Sequence, residues 1–274
     1  MKVVNNRLVR DNGNPFTFKP TPNMGGNLQA KYLIMHYTAG ASAAESIGWL
    51  TNPDAKASAH LVIARSGAIT QLVPFDKVAW HAGRSRWEGL VDMNEHSIGI
   101  ELDNAGALDK SGDHWRAWFG GNYSQGDVLE AAHKHGGLVR GWHTFTPVQI
   151  DVALEVAMVL KAQYNLRDVV GHDDISPGRK IDPGPAFPMR SFQARFRGRI
   201  DDGPKQMETT VDDLNIRSGP GVQHNPVQGS PLPSGTKVEV IRVEGTWSLV
   251  EVQGTVNGVN DLEGWVASRF LKPA

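Results

Sequence analysis

The sequence contains no cysteine, and this absence excludes several kinds of chemistry at once. Disulfides, thiolate zinc sites and cysteine nucleophiles all require a residue that the chain does not have. Any transition metal must therefore be held by histidine and carboxylate side chains.

Long apolar runs are also missing. The most apolar stretch of the later chain, residues 152–160, is short and is interrupted by Glu155, so no membrane-spanning segment is predicted. Residues 1–16 contain basic side chains but no continuous apolar region behind them, and so they do not predict a signal peptide.

Charge of one sign is not in excess either. Lys and Arg number 28 against 29 Asp and Glu, which gives no basic footprint for nucleic acid. The length of 274 residues, with 40% hydrophobic and 21% charged residues, predicts a globular protein with one domain of ordinary size and a smaller one.

The first two thirds of the chain alternate strand and helix patterns. Apolar runs of strand length occupy residues 32–37, 97–102 and 168–171, and residues 58–64 and 69–73 predict a hairpin. Capping signals predict helices that follow Ser42 and Thr146. This interleaving predicts an α/β fold with a mixed central sheet flanked by helices.

Residues 103–145 are less regular and rich in Trp and Gly. A lid or a dimer contact would suit this composition, but surface loops with a few packed aromatic side chains are the commoner structure. We expect surface loops here.

After residue 200 the composition changes. Residues 201–209 read as a linker, and residues 210–274 contain short β patterns separated by turn residues, with no helix signal. The sequence thus predicts domains at residues 1–200 and 210–274, the second a small β-barrel or meander.

Residues 169–187 carry the densest set of candidate functional groups. The segment begins as a β-branched strand that ends at His172 and closes with Lys180, Asp182 and two prolines. In extended chain Lys180 and Asp182 project to the same side. A metal site, a salt-bridged loop and an ion pair without chemistry all fit this pattern taken alone.

His36 joins this set because it also lies at the end of a predicted strand. Neighbouring strands would bring His36 and His172 to one rim of the sheet, where Asp182 also arrives. Two imidazoles and one carboxylate with a fourth position open are the ligands of a catalytic zinc site. Glu101 and Lys180 nearby would supply a base and a positive charge.

Five sequence pieces in order, LIMHYTAG, SAHLVI, PFDKVAWHAG, HSIGIEL and VGHDDISPGRKIDPGPAF, carry a resemblance to a known family. They resemble the zinc-dependent N-acetylmuramoyl-L-alanine amidases related to peptidoglycan recognition proteins, over about residues 30–190. The resemblance implies one zinc ion per chain with His36, His172 and Asp182 as ligands. It also implies Glu101 as general base and Lys180 as the residue that stabilises the transition state.

Two further features follow from the resemblance. Some relatives have a catalytic Tyr just before the position of His60, whereas this chain has Ala59, which places more of the work on Glu101. His60 and His81 fall in family motifs and are assigned to the substrate groove. The C-terminal pieces LNIRSGPG, GTWSLVEV and EGWVASRFL resemble a bacterial SH3-like cell-wall module.

The implied function is hydrolysis, by a zinc-activated water, of the amide between N-acetylmuramic acid and L-alanine of the stem peptide. A non-catalytic peptidoglycan-binding protein and a zinc endopeptidase acting within the stem peptide are the alternatives. The expected partners are peptidoglycan or muropeptides, without nucleic acid or membrane insertion. We expect the protein to be cytoplasmic as synthesised. Recycling of wall fragments in the cytoplasm, release by a phage-type lysis system and transport by a dedicated secretion machine are the alternatives for its route to the substrate.

Overall fold

The computed structural model describes residues 1–197, 205–260 and 262–274. The chain divides into two compact units, Met1–Arg197 and Gly198–Ala274. Within the described residues, no helix combines the length and the apolar character needed to cross a bilayer.

The first unit combines many short strands with four helices. Its strands, in chain order, are β1 (Lys2–Val4), β2 (Arg7–Val9), β3 (Thr17–Phe18), β4 (Met24–Asn27), β5 (Tyr32–Tyr37), β6 (Leu61–Ile63), β7 (Ile69–Gln71), β8 (Lys77–Ala79), β9 (Arg86–Trp87), β10 (Leu90–Val91), β11 (Ser97–Leu102), β12 (Ala107–Ser111), β13 (His114–Arg116), β14 (Asn122–Tyr123), β15 (Val128–Ala131), β16 (Arg140–His143) and β17 (Asp168–Gly171). Its helices are α1 (Ala43–Leu50), α2 (Pro147–Tyr164), α3 (His172–Ile175) and α4 (Met189–Phe196).

A six-stranded mixed sheet organises this unit. Its strand order is β17-β5-β11-β6-β7-β3, with β5 parallel to both β17 and β11 and β6 antiparallel to β7. The mixed α/β architecture expected from the sequence is confirmed.

The two faces of the six-stranded sheet are covered differently. Side chains of β5 and β11 such as Leu33 and Ile98 pack with Ala153, Val156 and Leu160 of α2 in the main hydrophobic core. Helix α2 begins where the sequence predicts, because Thr146 accepts a hydrogen bond from the Gln149 N–H at 3.2 Å. The opposite face of the sheet carries the polar side chains discussed below.

The Trp-rich segment is more regular than the sequence indicates. Instead of surface loops, residues 107–143 form a five-stranded antiparallel sheet in the order β14-β13-β12-β16-β15. Trp115 and Trp142 are buried in it, whereas Trp118 is 79% exposed. Its strands are two to five residues long, too short for an alternating pattern to stand out from the turns between them.

The second unit is all-β, as expected. Its strands are β18 (Lys205–Thr209), β19 (Lys237–Glu244), β20 (Trp247–Val252), β21 (Glu263–Ala267) and β22 (Leu271–Pro273). They form one antiparallel sheet in the order β21-β20-β19-β18-β22 around a small core that contains Leu214, Ile216 and Val250.

Two details of this unit differ from the sequence expectations. Residues 205–209, assigned to the linker, form β18, because both neighbouring strands offer it a pairing edge; the rest of that linker lies outside the described residues. Residues 214–221, expected as a strand, make only isolated bridges such as Leu214 to Leu232. Pro220 and the two glycines that flank it prevent a continuous ladder.

Candidate metal centre

Strand register brings three candidate residues to one end of the central sheet. In the parallel pairing of β5 with β11, His36 lies directly opposite Glu101. On the other side of β5, Gly171 pairs with Met35, so His172 follows at the level of His36. Side chains directly across a parallel ladder share a face, and His36 and Glu101 therefore project to the same side.

Asp182 completes a compact cluster with the two histidines. His36 Nδ1 lies 3.0 Å from both His172 Nδ1 and Asp182 Oδ2, and His172 Nδ1 lies 2.9 Å from Asp182 Oδ2. All three side chains are buried. Among the described residues they form the one group of three or more His or carboxylate side chains placed to hold a metal ion.

The loop that carries Asp182 is tied back to α3. The backbone N–H of Asp173 donates to the carbonyl of Asp182 at 2.8 Å, and Lys180 N–H donates to the Ser176 carbonyl at 3.0 Å. These bonds fold residues 172–182 back on themselves. Asp182 thereby reaches His172, ten positions earlier in the chain.

The protonation states of the cluster suit a cation. Burial is the main reason that the pKa of His36 falls from 6.5 to about 4, so this imidazole is neutral at neutral pH. Burial opposes ionisation of Asp182, but the adjoining imidazoles of His172 and His36 outweigh it and hold the pKa of the carboxyl below its usual range. A neutral imidazole and an ionised carboxylate are the forms in which these side chains bind metals.

The hydrogen bond made by Nε2 of His172, the ring nitrogen that points away from the cluster, determines the tautomer of this imidazole. His172 Nε2 lies 3.1 Å from the Ala82 carbonyl oxygen, which can only accept, so Nε2 carries the proton. The Arg179 guanidinium lies farther from the same nitrogen, at 3.4 Å, and donates at 2.7 Å to the same carbonyl. When the ring carries its single proton on Nε2, Nδ1 of His172 presents a lone pair towards Asp182. The donor atoms therefore fit a metal ion such as zinc, which binds imidazole nitrogen and carboxylate oxygen.

Glu101 lies beside this cluster with an unusual environment. Its Oε2 atom is buried without a hydrogen-bond partner in the part of the chain that the structure describes. Burial, followed by the charge of Asp182, raises the pKa of Glu101 well above its ordinary value, while Lys180 opposes this shift. A carboxylate oxygen left without a partner at such a site is suited to accept a proton from a substrate or a water.

Lys180 is partly exposed. Its positive charge opposes the rise in the pKa of Glu101 and adds to the fall in the pKa of His36. It therefore lies within electrostatic reach of the cluster. The neighbouring Ile181 is exposed, in agreement with alternation along an extended segment.

His60, which the sequence assigns to the substrate groove, lies in the interior of the first unit. Its ring is fully buried, with Nε2 2.9 Å from the Lys77 carbonyl and Nδ1 accepting from the Gly99 N–H at 3.0 Å. No atom of His60 is free to meet a ligand, because both nitrogens serve the backbone. The preceding Ala59 is likewise buried.

His81, the other residue assigned to the substrate groove, contacts one of the candidate metal ligands. It lies behind His36, with its Nδ1 3.0 Å from His36 Nε2, and it is buried. Sequence reasoning recognised the motif around His81 but could not see this contact, because it depends on how β8 and β11 pack. Asn94, whose side chain holds the backbone of His81, was not singled out at all.

Residues 26–185 match the sequence profile of the family described as N-acetylmuramoyl-L-alanine amidase. The chain belongs to this family. The match spans five of the six strands of the central sheet, the Trp-rich sheet and all the residues of the candidate metal centre. A second profile, the bacterial SH3 domain, matches residues 212–272.

Curated relatives agree with this membership. The chain is 33% identical over 211 residues to N-acetylmuramoyl-L-alanine amidase AmiD of Escherichia coli (strain K12), covering 74% of this chain and 63% of AmiD. It is 38% identical over 142 residues to 1,6-anhydro-N-acetylmuramyl-L-alanine amidase AmpD of the same strain, covering 52% of this chain and 57% of AmpD. The chain thus spans less than two thirds of the length of either relative.

Among solved structures, a crystal structure of a selenomethionine AmpD derivative is similar to this chain. The superposition has a TM-score of 0.48 at 27% identity and covers 72% of this chain and 98% of that one.

The burial of His60 predicts how the metal-free amidase domain responds to acid. Burial lowers the pKa of His60 from 6.5 to about 4, so between these pH values the unfolded chain binds a proton that the folded chain excludes. We expect stability to fall as pH drops through this window. In His60→Gln the fall should be shallower by up to about 1.4 kcal/mol per pH unit. Urea unfolding with a chelator present measures both slopes, and parallel curves would contradict the prediction.

Proposed function

We propose that this protein is a zinc-dependent peptidoglycan amidase. It cleaves the amide between N-acetylmuramic acid and L-alanine of the stem peptide. The observation that carries the proposal is the convergence of His36, His172 and Asp182, with Glu101 beside them, in a chain of the N-acetylmuramoyl-L-alanine amidase family.

His36, His172 and Asp182 would hold the zinc ion. Bound there, zinc supplies a Lewis acid that polarises the amide carbonyl and favours ionisation of water. Three protein ligands leave a position open for substrate, which is typical of catalytic sites.

Glu101 acts as the general base in this proposal. Its free Oε2 takes a proton from the attacking water and afterwards delivers it to the amine of L-alanine as the C–N bond breaks. Some relatives have a Tyr where this chain has Ala59. Because alanine has no hydroxyl, the side chain at this position does not share the proton transfer.

Lys180 stabilises the negative charge that develops on the carbonyl oxygen. Its charge already acts on Glu101 and His36 in the metal-free protein. A cation near the reacting carbonyl stabilises the transition state more than the neutral substrate, which is the requirement for catalysis.

The second unit supports polymeric cell wall as the substrate. Residues 212–272 match the bacterial SH3 domain profile, and a tethered binding module raises local concentration on a polymer more than on a small soluble fragment. Residues 207–274 contain five Lys or Arg against eight Asp or Glu, so binding would depend on specific contacts and not on bulk charge. The site of action in this proposal is the cell wall.

Digestion of purified cell wall tests the reaction itself. We expect the zinc-loaded protein to release stem peptides that begin with L-alanine, and a chelator to abolish this release until zinc is restored. Mass spectrometry of the products gives the answer. Cuts inside the stem peptide would indicate an endopeptidase, and bound but unchanged wall would indicate a non-catalytic binding protein.

Substitutions of Glu101 and Lys180 separate catalysis from metal binding. At saturating zinc, Glu101→Gln should lose about 10²- to 10⁴-fold in turnover because the amide cannot accept the proton. Lys180→Ala should lose about 10²-fold, the usual value for one charge-stabilising donor. Both variants should keep stoichiometric zinc.

Two results would contradict these roles of Lys180 and Glu101. Recovery of Lys180→Ala to wild-type turnover when zinc is in excess would mean that Lys180 only orients Asp182. Near-normal turnover of Glu101→Gln would remove Glu101 from the mechanism.

Deleting the second unit should affect substrates unequally. A chain ending at Arg197 retains the whole first unit and its core, so hydrolysis of soluble muropeptides should stay close to the full-length value. Hydrolysis of intact sacculi should fall because the tether is lost. Assays of both substrates side by side decide the matter, since an equal loss on each would mean that the second unit supports the amidase fold.

A further inference from the structure

Both imidazoles of the candidate metal centre contact the same two-residue segment, His81-Ala82. His36 Nε2 lies 3.0 Å from His81 Nδ1, and His172 Nε2 lies 3.1 Å from the Ala82 carbonyl oxygen. Consecutive residues of one loop thus meet the outer nitrogens of two ligands that are 136 positions apart in the chain. The loop is remote in sequence from both.

The hydrogen bonds of His81 set the orientation of its ring. His81 Nε2 lies 3.4 Å from both the carbonyl oxygen and the hydroxyl of Ser97. The Ser97 hydroxyl donates its own proton to the Met93 carbonyl at 2.5 Å, so both Ser97 oxygens act as acceptors towards His81. His81 Nε2 therefore carries the proton, and Nδ1 is left with a lone pair.

This arrangement determines the state of His36 in turn. Because His81 Nδ1 accepts, His36 Nε2 must donate, and Nδ1 of neutral His36 then faces the cluster as a lone pair. Hydrogen bonds are thus donated in order from His36 to His81, from His81 to Ser97 and from the Ser97 hydroxyl to the Met93 carbonyl. An imidazole whose outer N–H is held in this way binds a metal in a fixed orientation.

Asn94 holds the two-residue segment in place. Its side-chain oxygen accepts from the His81 N–H at 3.0 Å and from the Ala82 N–H at 2.7 Å. Gly99 provides the space for the ring, since a Cβ at this position would lie 2.5 Å from His81 Cγ. A backbone clamp and a matching cavity thus position His81 independently of any metal.

We propose that His81 is a positioning residue for the metal centre. With Asn94 it forms an outer support that aligns His36 through a side chain and His172 through a backbone carbonyl. The inference rests on the proposed metal site but concerns residues outside its proposed ligand set. His60 offers a comparison, because it is equally buried but bonds only to backbone groups and contacts neither ligand.

Two amide substitutions of His81 test the proposal. The side-chain oxygen of His81→Asn can occupy the position of Nδ1 and accept from His36, whereas His81→Gln reaches towards Ser97 and lacks that acceptor. We expect zinc affinity close to wild type for His81→Asn and weaker by about 10- to 100-fold for His81→Gln. Competition with a chromogenic chelator measures the affinity, and the visible spectrum of the cobalt-substituted protein reports ligand geometry. His143→Gln is the matched control, since His143 is buried and its Nδ1 accepts from the Ala105 N–H, away from the ligands.

Each outcome bears on a stated claim. Equal zinc affinity and equal cobalt spectra for wild type and His81→Gln would overturn the positioning role, as would an equal loss in His143→Gln. If the His81 variants do not fold, Asn94→Ala decides, because it leaves every histidine in place, and unchanged affinity in that variant would overturn the proposal. Failure of the wild-type protein to bind zinc would instead refute the proposed function.

Discussion

Three acceptor atoms held about 3 Å apart are the constraint on which the rest of the amidase unit depends. The Nδ1 atoms of His36 and His172 and Oδ2 of Asp182 face one another in a buried position. Lone pairs and a negative charge placed together in this way repel, and burial without partners is costly. The free energy that keeps them together comes from packing elsewhere in the fold, and the cation of the proposed function would relieve the repulsion.

The central sheet supplies that packing through its register. Strands β17, β5 and β11 run parallel, so their last residues arrive at one edge, with apolar residues of the same strands buried against α2. A shift of register by one residue would turn His36 into the α2 core and Met35 out towards the site. The hydrophobic pattern of these strands and the position of the candidate ligands are therefore determined together.

Residues of the Trp-rich segment contact residues 172–184, the stretch that carries His172 and Asp182. His133 Nε2 lies 3.0 Å from Asp173 Oδ2, and Lys134 forms ion pairs with Asp173 at 2.9 Å and Asp174 at 2.7 Å. The ring of Trp142 packs so close to Gly184 that a Cβ there would lie 2.8 Å from it. These contacts flank His172 on one side and Asp182 on the other, so a segment that reads as loops in the sequence contributes to the rigidity of the site.

The sequence by itself determined the longer elements of the first unit and the placement of two candidate ligands at strand ends. Residues with long periodic patterns and clear caps, such as those of β5, β11 and α2, fold as predicted, because local hydrophobicity and capping decide such elements. The short strands of the Trp-rich sheet were not predictable, since pairs of two to five residues are decided by their neighbours across the sheet. The roles of the histidines divide in the same way. Strand ends place His36 and His172 together, but only the tertiary structure shows that His60 serves the backbone and that His81 supports His36, because the direction of a buried ring is set by the partners that packing brings to its two nitrogens.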